Sequence, residues 1–276
     1  MDSDSPPSDR TPTFHPHEFY PVFKRLPKVG DAVICGGQAV NLLAAVFLTP
    51  EELNSILGDH GSATSSDMDI VITKDLQSRI EMNGTDKSQG FSLRKFSDCR
   101  QPIRFAILPD DMPDTRIDVL RTVNGVHIQK DRIFEDAIDI EAPFKVMNPV
   151  TILIAKAENC ATLEQESPTE KRNDITHLKM LVPIVRNFLM ELVTNCAPGS
   201  KREQRDIINH FKKFQAASAT PSFKKGLRKA GVKLTDAIPA ALIRRGELET
   251  LKSFLENTFM PAISGKKSGN PPDSPS

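Results

Sequence analysis

The stretch Ser65-Ser66-Asp67-Met68-Asp69-Ile70-Val71-Ile72-Thr73 sets two acids at the start of an apolar, β-branched run. Such a run predicts a buried strand over residues 69–73. Side chains in a strand alternate between its two faces, so acids two positions apart point to the same side. One metal ion could therefore meet both carboxylates, although Asp-x-Asp sequences also occur in ordinary turns.

A third acid, Asp118, lies in the mainly apolar run Arg116-Ile117-Asp118-Val119-Leu120. A lone carboxylate that faces a protein interior is unfavourable unless it is paired, protonated or bound to a metal. Neighbouring strands lie ~4.8 Å apart, so Asp118 on an adjacent strand would complete a metal site with Asp67 and Asp69. Carboxylate oxygens suit Mg²⁺ better than His or Cys side chains would.

A glycine pair, Gly36-Gly37, follows the apolar run Ala32-Val33-Ile34-Cys35 and precedes a helical pattern from Ala39 to Phe47. This order predicts a strand, a tight glycine turn and a helix. Glycines at such a place let the backbone approach a ligand and direct N–H groups and the positive end of the helix at phosphate. A strand-ending glycine pair is more often only a turn without a ligand.

The wider pattern predicts an α+β fold, with a mixed sheet flanked by helices and a C-terminal helical lobe. Strands are predicted at 32–35, 69–73, 90–96, 103–108 and 115–123, which suggests a sheet of roughly five strands. Helices are predicted at 50–58, 150–162, 171–192, 203–217 and 246–259. The Ser- and Pro-rich ends, 1–16 and 264–276, are expected to be disordered tails.

Net charge, hydropathy and cysteine spacing give no indication of a nucleic-acid-binding polycation, a membrane protein or a disulfide-rich protein. The 36 Lys and Arg balance 36 Asp and Glu, so net charge forces no attraction to nucleic acid. No run approaches the ~20 apolar residues of a membrane helix, and we expect a cytoplasmic protein with no membrane partner. The cysteines have no paired short spacing, which indicates neither a zinc knuckle nor a disulfide framework.

The ordered motifs Cys35-Gly36-Gly37-Gln38-Ala39-Val40-Asn41, Thr64-Ser65-Ser66-Asp67-Met68-Asp69-Ile70 and Ile117-Asp118-Val119 resemble those of the nucleotidyltransferase superfamily, which has a DNA polymerase beta-like fold. Within it, the chain looks most like prokaryotic nucleotidyltransferase-like proteins related to the abortive-infection toxin group. The resemblance implies a catalytic domain over 17–147, a helical domain over 148–263 and an NTP substrate. It also implies two Mg²⁺ ions on Asp67, Asp69 and Asp118, with Gly36, Gly37 and Ser66 at the triphosphate.

Lys156 interrupts the apolar face of the helix predicted at 150–162. In the family that the chain resembles, a Lys of this helix and a Lys/Arg-Asp helix lie near the nucleotide. The Lys156 ammonium would bind the triphosphate or would extend to water. Asp174 and His177 lie three apart and Lys171 three before Asp174, a spacing that favours a self-contained surface cluster with a structural role.

The resemblance implies an Mg²⁺-dependent transferase that moves a nucleoside monophosphate from an NTP to an acceptor hydroxyl. An RNA 3′ end or a protein is the favoured acceptor, and a toxin–antitoxin or phage-defence role, with a cognate antitoxin as partner, is the expected setting. The alternative is a catalytically silent protein of the same fold that binds a nucleotide or a partner. A third possibility is an antitoxin-like interaction protein that acts through its helical lobe.

Overall fold

The computed structural model of the chain describes residues 14–26, 31–58, 65, 67–83, 90–99, 101–127, 132–140, 144–165 and 172–264. The predicted disordered tails lie outside these residues, apart from 14–16 and 264. Phe14 forms an isolated antiparallel bridge with Ser65, and Pro16–Phe19 is a short 3-10 turn. Residues 14–16, which the sequence assigns to a tail, are thus part of the structured chain.

The described residues form one mixed sheet of seven strands in the order β3-β4-β5-β2-β1-β7-β6. The strands are β1 (Ala32–Cys35), β2 (Met68–Ile72), β3 (Phe91–Lys95), β4 (Ile103–Pro109), β5 (Ile117–Leu120), β6 (Ile138–Asp139) and β7 (Lys145–Val146). β2 runs antiparallel to β1 and parallel to β5, which places it at the centre of the sheet. A mixed sheet flanked by helices is therefore confirmed, while the specific nucleotidyltransferase fold stays a prediction.

Helices flank the sheet and make up most of the chain after Asn148. They are α1 (Tyr20–Phe23), α2 (Gly36–Phe47), α3 (Pro50–Leu57), α4 (Lys74–Asn83), α5 (Pro149–Thr162), α6 (Asp174–Asn195), α7 (Lys201–Ser218), α8 (Pro221–Ala230), α9 (Ala240–Arg245), α10 (Glu249–Phe254) and α11 (Met260–Ser264). A π-helical turn, Leu255–Phe259, joins α10 to α11. Helices predominate after Asn148 as predicted, and α8, α9 and α11 lie outside the ranges predicted to be helical.

Local sequence explains where several of these helices begin. At α3 the Thr49 hydroxyl accepts a hydrogen bond from the Glu52 backbone N–H (3.2 Å), and the Glu52 carboxylate accepts one from the Thr49 N–H (3.0 Å). This reciprocal capping satisfies two donors that the first turn leaves without helical partners. Asn148 caps α5 in a similar way, through a 3.0 Å bond from the Val150 N–H.

The sheet differs from the predicted one at its far edge. Two strands of two residues each, β6 and β7, were not predicted, and β7 pairs in parallel with β1. So short a strand shows no period in the sequence and is defined only by its partner. In addition, α2 begins at Gly36, directly after β1, and leaves no separate glycine turn before Ala39.

A continuous apolar core joins the sheet to the helices of the second half. α6 packs against α2 as well as α5, so the C-terminal helices cover the helix that follows β1. No helix within the described ranges is long and apolar enough to cross a membrane. The core therefore couples the two halves of the chain around β1 and α2.

Helix α8 packs very closely on α5 at Gly226. A Cβ atom placed on Gly226 would lie 1.9 Å from the backbone oxygen of Ala157. Backbone oxygens cannot rotate away as a flexible side chain can, so the two helices would have to separate. The absence of a side chain at Gly226 sets the distance between α5 and α8.

We predict that Gly226→Ala lowers the free energy of unfolding by about 3 kcal/mol, because overpacking outweighs the ~1 kcal/mol by which Ala favours a helix. Urea unfolding followed by circular dichroism measures the change. Gly199→Ala is the matched control, since a Cβ there meets nothing within 4 Å. Equal stability of the two variants would contradict the close helix contact.

Candidate metal centre

The three predicted acids meet at one end of the central strands. Asp69 on β2 is the direct cross-strand partner of Asp118 on β5, and Asp67 comes immediately before β2. Each acid offers a carboxylate oxygen, and these oxygens all lie within 4.8 Å of one another. The expectation that Asp118 stands on a strand adjacent to the Asp-x-Asp pair is confirmed.

Burial makes the charged forms of two of these acids unfavourable. Asp118 is 1% exposed, and desolvation raises its pKa to about 6 against the opposing effect of Arg116. Burial raises the pKa of Asp69 to about 7; the charge of Asp67 adds to the effect and that of Lys156 opposes it. Both acids thus hold a proton more tightly than an ordinary carboxyl group does.

One guanidinium group touches two of the acids. Arg116 Nη2 lies 2.8 Å from Asp118 Oδ2 and 3.3 Å from Asp67 Oδ2. The Arg116 side chain is 44% exposed, so it approaches the acids from the solvent side. The other oxygen of Asp118, Oδ1, is buried and has no hydrogen-bond partner among the described residues. This oxygen is available to accept a further contact.

The glycine pair lies directly beside the acids. Cys35 is the cross-strand partner of Asp69, so Gly36 follows β1 at the carboxylate end. Gly36 has a φ of +69°, and a Cβ there would lie 2.0 Å from Asp69 Oδ2. Only glycine fits, for backbone conformation and for space alike. The intervening α3 helix does not keep the glycines from the acids.

The segment before Asp67 is held by the first helix after β1. Phe14 and Ser65 exchange backbone hydrogen bonds of 2.9 and 3.1 Å, and the buried Gln38 amide donates to Phe14 O (2.9 Å) and Ser65 O (3.3 Å). The Ser65 hydroxyl in turn donates to Asp67 Oδ1 at 3.4 Å. Ser66, a predicted triphosphate contact, lies outside the described residues.

A second charged cluster lies between α5 and α6. Lys156 Nζ is 2.7 Å from Asp174 Oδ1, and Arg172 Nε is 2.9 Å from Asp174 Oδ2. Lys156 and Arg172 hold the pKa of Asp174 well below its usual range, although burial acts in the opposite direction. The Lys156 ammonium is therefore bound to an acid and does not extend to water.

The prediction of a surface cluster around Asp174 is wrong. Asp174 is 1% and His177 6% exposed, because this face of α6 packs against α5 and α2. Lys171 lies outside the described residues. The sequence does carry a signal for this burial, since His177, Leu181 and Ile184 recur at helical spacing on one apolar stripe.

The sequence assigns His177 to a structural surface cluster, whereas the structure places its ring beside the glycine pair. A Cβ on Gly37 would lie 3.2 Å from His177 Cε1 and 2.8 Å from Ser65 Oγ, so the imidazole lies beside the first turn of α2. Burial, and after it the charge of Lys156, lower the pKa of His177 to about 3, which keeps the ring neutral. No described residue bonds its buried Nδ1.

Comparison of the chain with protein-family models, with curated proteins and with solved structures finds no match.

We predict that, without metal, the free energy of unfolding falls as pH rises from about 4 to about 7. Over that range the folded acids keep protons that the unfolded chain has lost, so stability falls with pH. Asp69→Asn removes much of this slope and is more stable than the parent at pH 8 in EDTA by on the order of 2 kcal/mol, since a tenfold change in proton affinity is worth about 1.4 kcal/mol.

Urea unfolding at a series of pH values measures this difference. Mg²⁺ or Mn²⁺ should stabilise the parent at pH 8 and leave Asp69→Asn unchanged. Identical pH slopes in the two proteins, or equal stabilisation by the ion, would show that Asp69 is not a strained, metal-binding acid.

We also predict that Asp174→Asn destabilises the protein by about 3 kcal/mol, because it leaves the buried Lys156 ammonium without its acid. The double variant Lys156→Met/Asp174→Asn should recover part of the loss, since no buried charge remains. Asp236→Asn, at an exposed position, is the control and should change the free energy of unfolding by less than about 0.5 kcal/mol. A double variant less stable than Asp174→Asn would refute the pairing.

Proposed function

We propose that the chain is a metal-dependent nucleotidyltransferase, which transfers a nucleoside monophosphate from an NTP to an acceptor hydroxyl. The observation that carries this proposal is the meeting of three carboxylates within 4.8 Å beside a glycine that begins a helix. Acids and helix N-terminus together suit a ligand that brings both phosphate groups and metal ions. An NTP bound with Mg²⁺ is such a ligand.

The residues present fit a divalent cation. The donors are all carboxylate oxygens, the ligand type that Mg²⁺ prefers, and the unpartnered Asp118 Oδ1 is available to it. Asp67, Asp69 and Asp118 would hold the metal, with two ions as the expected number. When bound, Mg²⁺ neutralises triphosphate charge and orients the attacking and leaving oxygens.

The helix that starts at Gly36 supports the same ligand. The first turn of α2 has backbone N–H groups without helical partners, and the side chain of the N-cap residue, Cys35, makes no capping hydrogen bond to them. Gly36 and Gly37 lack side chains that would stand between these groups and a phosphate. In the proposal they bind the triphosphate through the backbone, and Ser66 remains a predicted contact.

Lys156 also remains a predicted triphosphate contact, but the structure assigns it a definite partner in Asp174. Its positive charge already acts on the site, since it lowers the pKa of Asp69. Release from Asp174 would be needed before the ammonium could bind a phosphate. While it is paired with Asp174, Lys156 therefore acts on the site through its positive charge, which favours the ionised form of Asp69.

Asp118 is the residue best suited to accept a proton. In the transfer, the acceptor oxygen forms a bond to the α-phosphorus, the bond to the bridging oxygen of the β-phosphate breaks, and pyrophosphate leaves. The acceptor hydroxyl loses its proton in the process. In the metal-free chain burial raises the pKa of Asp118 to about 6, so the group is ionised at neutral pH, and as a carboxylate it would accept that proton.

The favoured acceptors are an RNA 3′ end and a protein hydroxyl, and a toxin–antitoxin or phage-defence role, with a cognate antitoxin, belongs to the same proposal. The alternative is a silent protein that binds a nucleotide or a partner. The raised pKa of two of its acids supports the enzyme, because such acids are typical of working sites.

We predict that purified protein with Mg²⁺ and total cellular RNA and protein incorporates label from an α-labelled NTP but none from a γ-labelled NTP. The α-phosphate alone stays with the acceptor in nucleotidyl transfer. Asp67→Asn/Asp69→Asn should lower the incorporation by about a hundredfold or more. Gel analysis after nuclease or protease treatment identifies the acceptor class.

Asp110→Asn/Asp114→Asn is the matched control, because it removes two exposed acids of the same half and should keep full activity. Transfer of γ-label would identify a kinase instead. Absence of transfer with every NTP, from folded protein that binds NTP, would favour the silent alternative.

A further inference from the structure

A second concave site lies on the other face of the sheet. It is a cavity of about 530 Å³, within the range of small-molecule sites. Gln77 and Glu81 of α4 form one wall, and residues at the ends of β3, β4 and β5 form the other. Neither the acids nor the glycine pair contributes to it.

The strand register separates the cavity from the candidate metal centre. Residues paired directly across strands share a face of the sheet. Asp118 pairs with Ala106, whereas Phe105, which lines the cavity, pairs with Lys95 and Val119. Phe105 and Lys95 therefore lie on the face opposite Asp118, the face that α4 covers.

The cavity is positively charged. Lys95, Arg104 and Arg121 line it, and Glu81 is the acid that lines it with them, which leaves an excess of two positive charges. Lys95 Nζ lies 3.5 Å from Glu81 and is 66% exposed, so this pair is loose. A ligand with two or more negative charges would balance the site.

Neutral oxygens orient the two guanidinium groups. Arg104 donates to the side-chain oxygen of Gln77, and Arg121 Nη1 donates to the backbone oxygen of Asp98 at 3.3 Å. Such bonds fix the direction of a guanidinium group without neutralising its charge. Arginine is the side chain best suited to bidentate contact with phosphate.

An aromatic ring stands at the same cavity. Phe96 is half-buried, and the Arg94 guanidinium lies 5.6 Å from its ring centroid. Phe105, 1% exposed, forms part of the floor. Rings beside guanidinium groups bind nucleobases by stacking, with little dependence on sequence.

We propose that this cavity is a nucleotide-binding site, in which Arg104, Arg121 and Lys95 bind the phosphate groups and Phe96 contacts the base. The nucleotide is either a free mononucleotide or one unit of a single-stranded RNA. The site is independent of the carboxylates and of nucleotidyl transfer, and it requires no metal ion.

The test measures binding of fluorescent ADP, and separately of a short labelled single-stranded RNA, to the full chain at low ionic strength in EDTA. EDTA removes divalent ions, so the candidate metal centre does not contribute. Arg104→Gln/Arg121→Gln should raise the Kd about tenfold or more. Phe96→Ser should weaken ADP binding but leave competition by inorganic phosphate unchanged.

Two controls separate this site from other causes. Lys224→Gln/Lys225→Gln removes the same charge from exposed positions on α8 and should not change the Kd. Asp67→Asn/Asp69→Asn should also bind normally, even where it has lost transferase activity. If Arg104→Gln/Arg121→Gln does not fold, the exposed Lys95→Glu takes its place.

Tighter binding of ADP than of RNA identifies a mononucleotide site, and the reverse identifies an RNA site. The proposal is overturned if neither probe binds in EDTA, or if both bind the arginine variant as well as the parent. Competition by inorganic phosphate as effective as that by ADP would overturn the assignment to a nucleotide.

Discussion

The crowding and partial burial of three carboxylates are the constraint on which the site depends. Two unit charges 4.8 Å apart repel by about 3 kcal/mol at the effective dielectric constant of a protein surface. Part of this repulsion is offset by the positive charge of Arg116. The raised pKa values of Asp69 and Asp118 offset a further part, because a protonated acid carries no charge. Gly36, which leaves room for Asp69, is a further consequence of the same crowding.

The central sheet makes that crowding possible. β2 occupies the middle of the seven strands, with a parallel partner on one side and an antiparallel partner on the other. Pairing with β5 places Asp118 beside Asp69, and pairing with β1 places the start of α2 beside it. Helices α5 and α6 then add a buried ion pair and a neutral imidazole against the first turn of α2. Residues of the helical half thus lie beside the candidate metal centre.

A net charge of zero conceals an uneven distribution of charge over the two faces of the sheet. One face carries the three acids, and the other carries a cavity with three cations. Both features lie outside what composition can show, because composition counts charges without locating them. Because the two faces differ in charge, they suit different ligands. These are a metal-bound triphosphate on the acidic face and a metal-free nucleotide on the basic face.

The sequence by itself determined the features that depend on neighbouring residues. The Asp-x-Asp strand, the third acid on an apolar strand, the helical pattern from Ala39 to Phe47 and the helical second half all follow from local periodicity. Tertiary structure decided what depends on distant partners. β6 and β7 exist only through pairing, α4 forms a wall of a cavity that no sequence motif indicates, and His177 is a buried ring beside Gly37. Burial of Asp174 arises because α6 has two neighbours, which a helix pattern alone does not reveal.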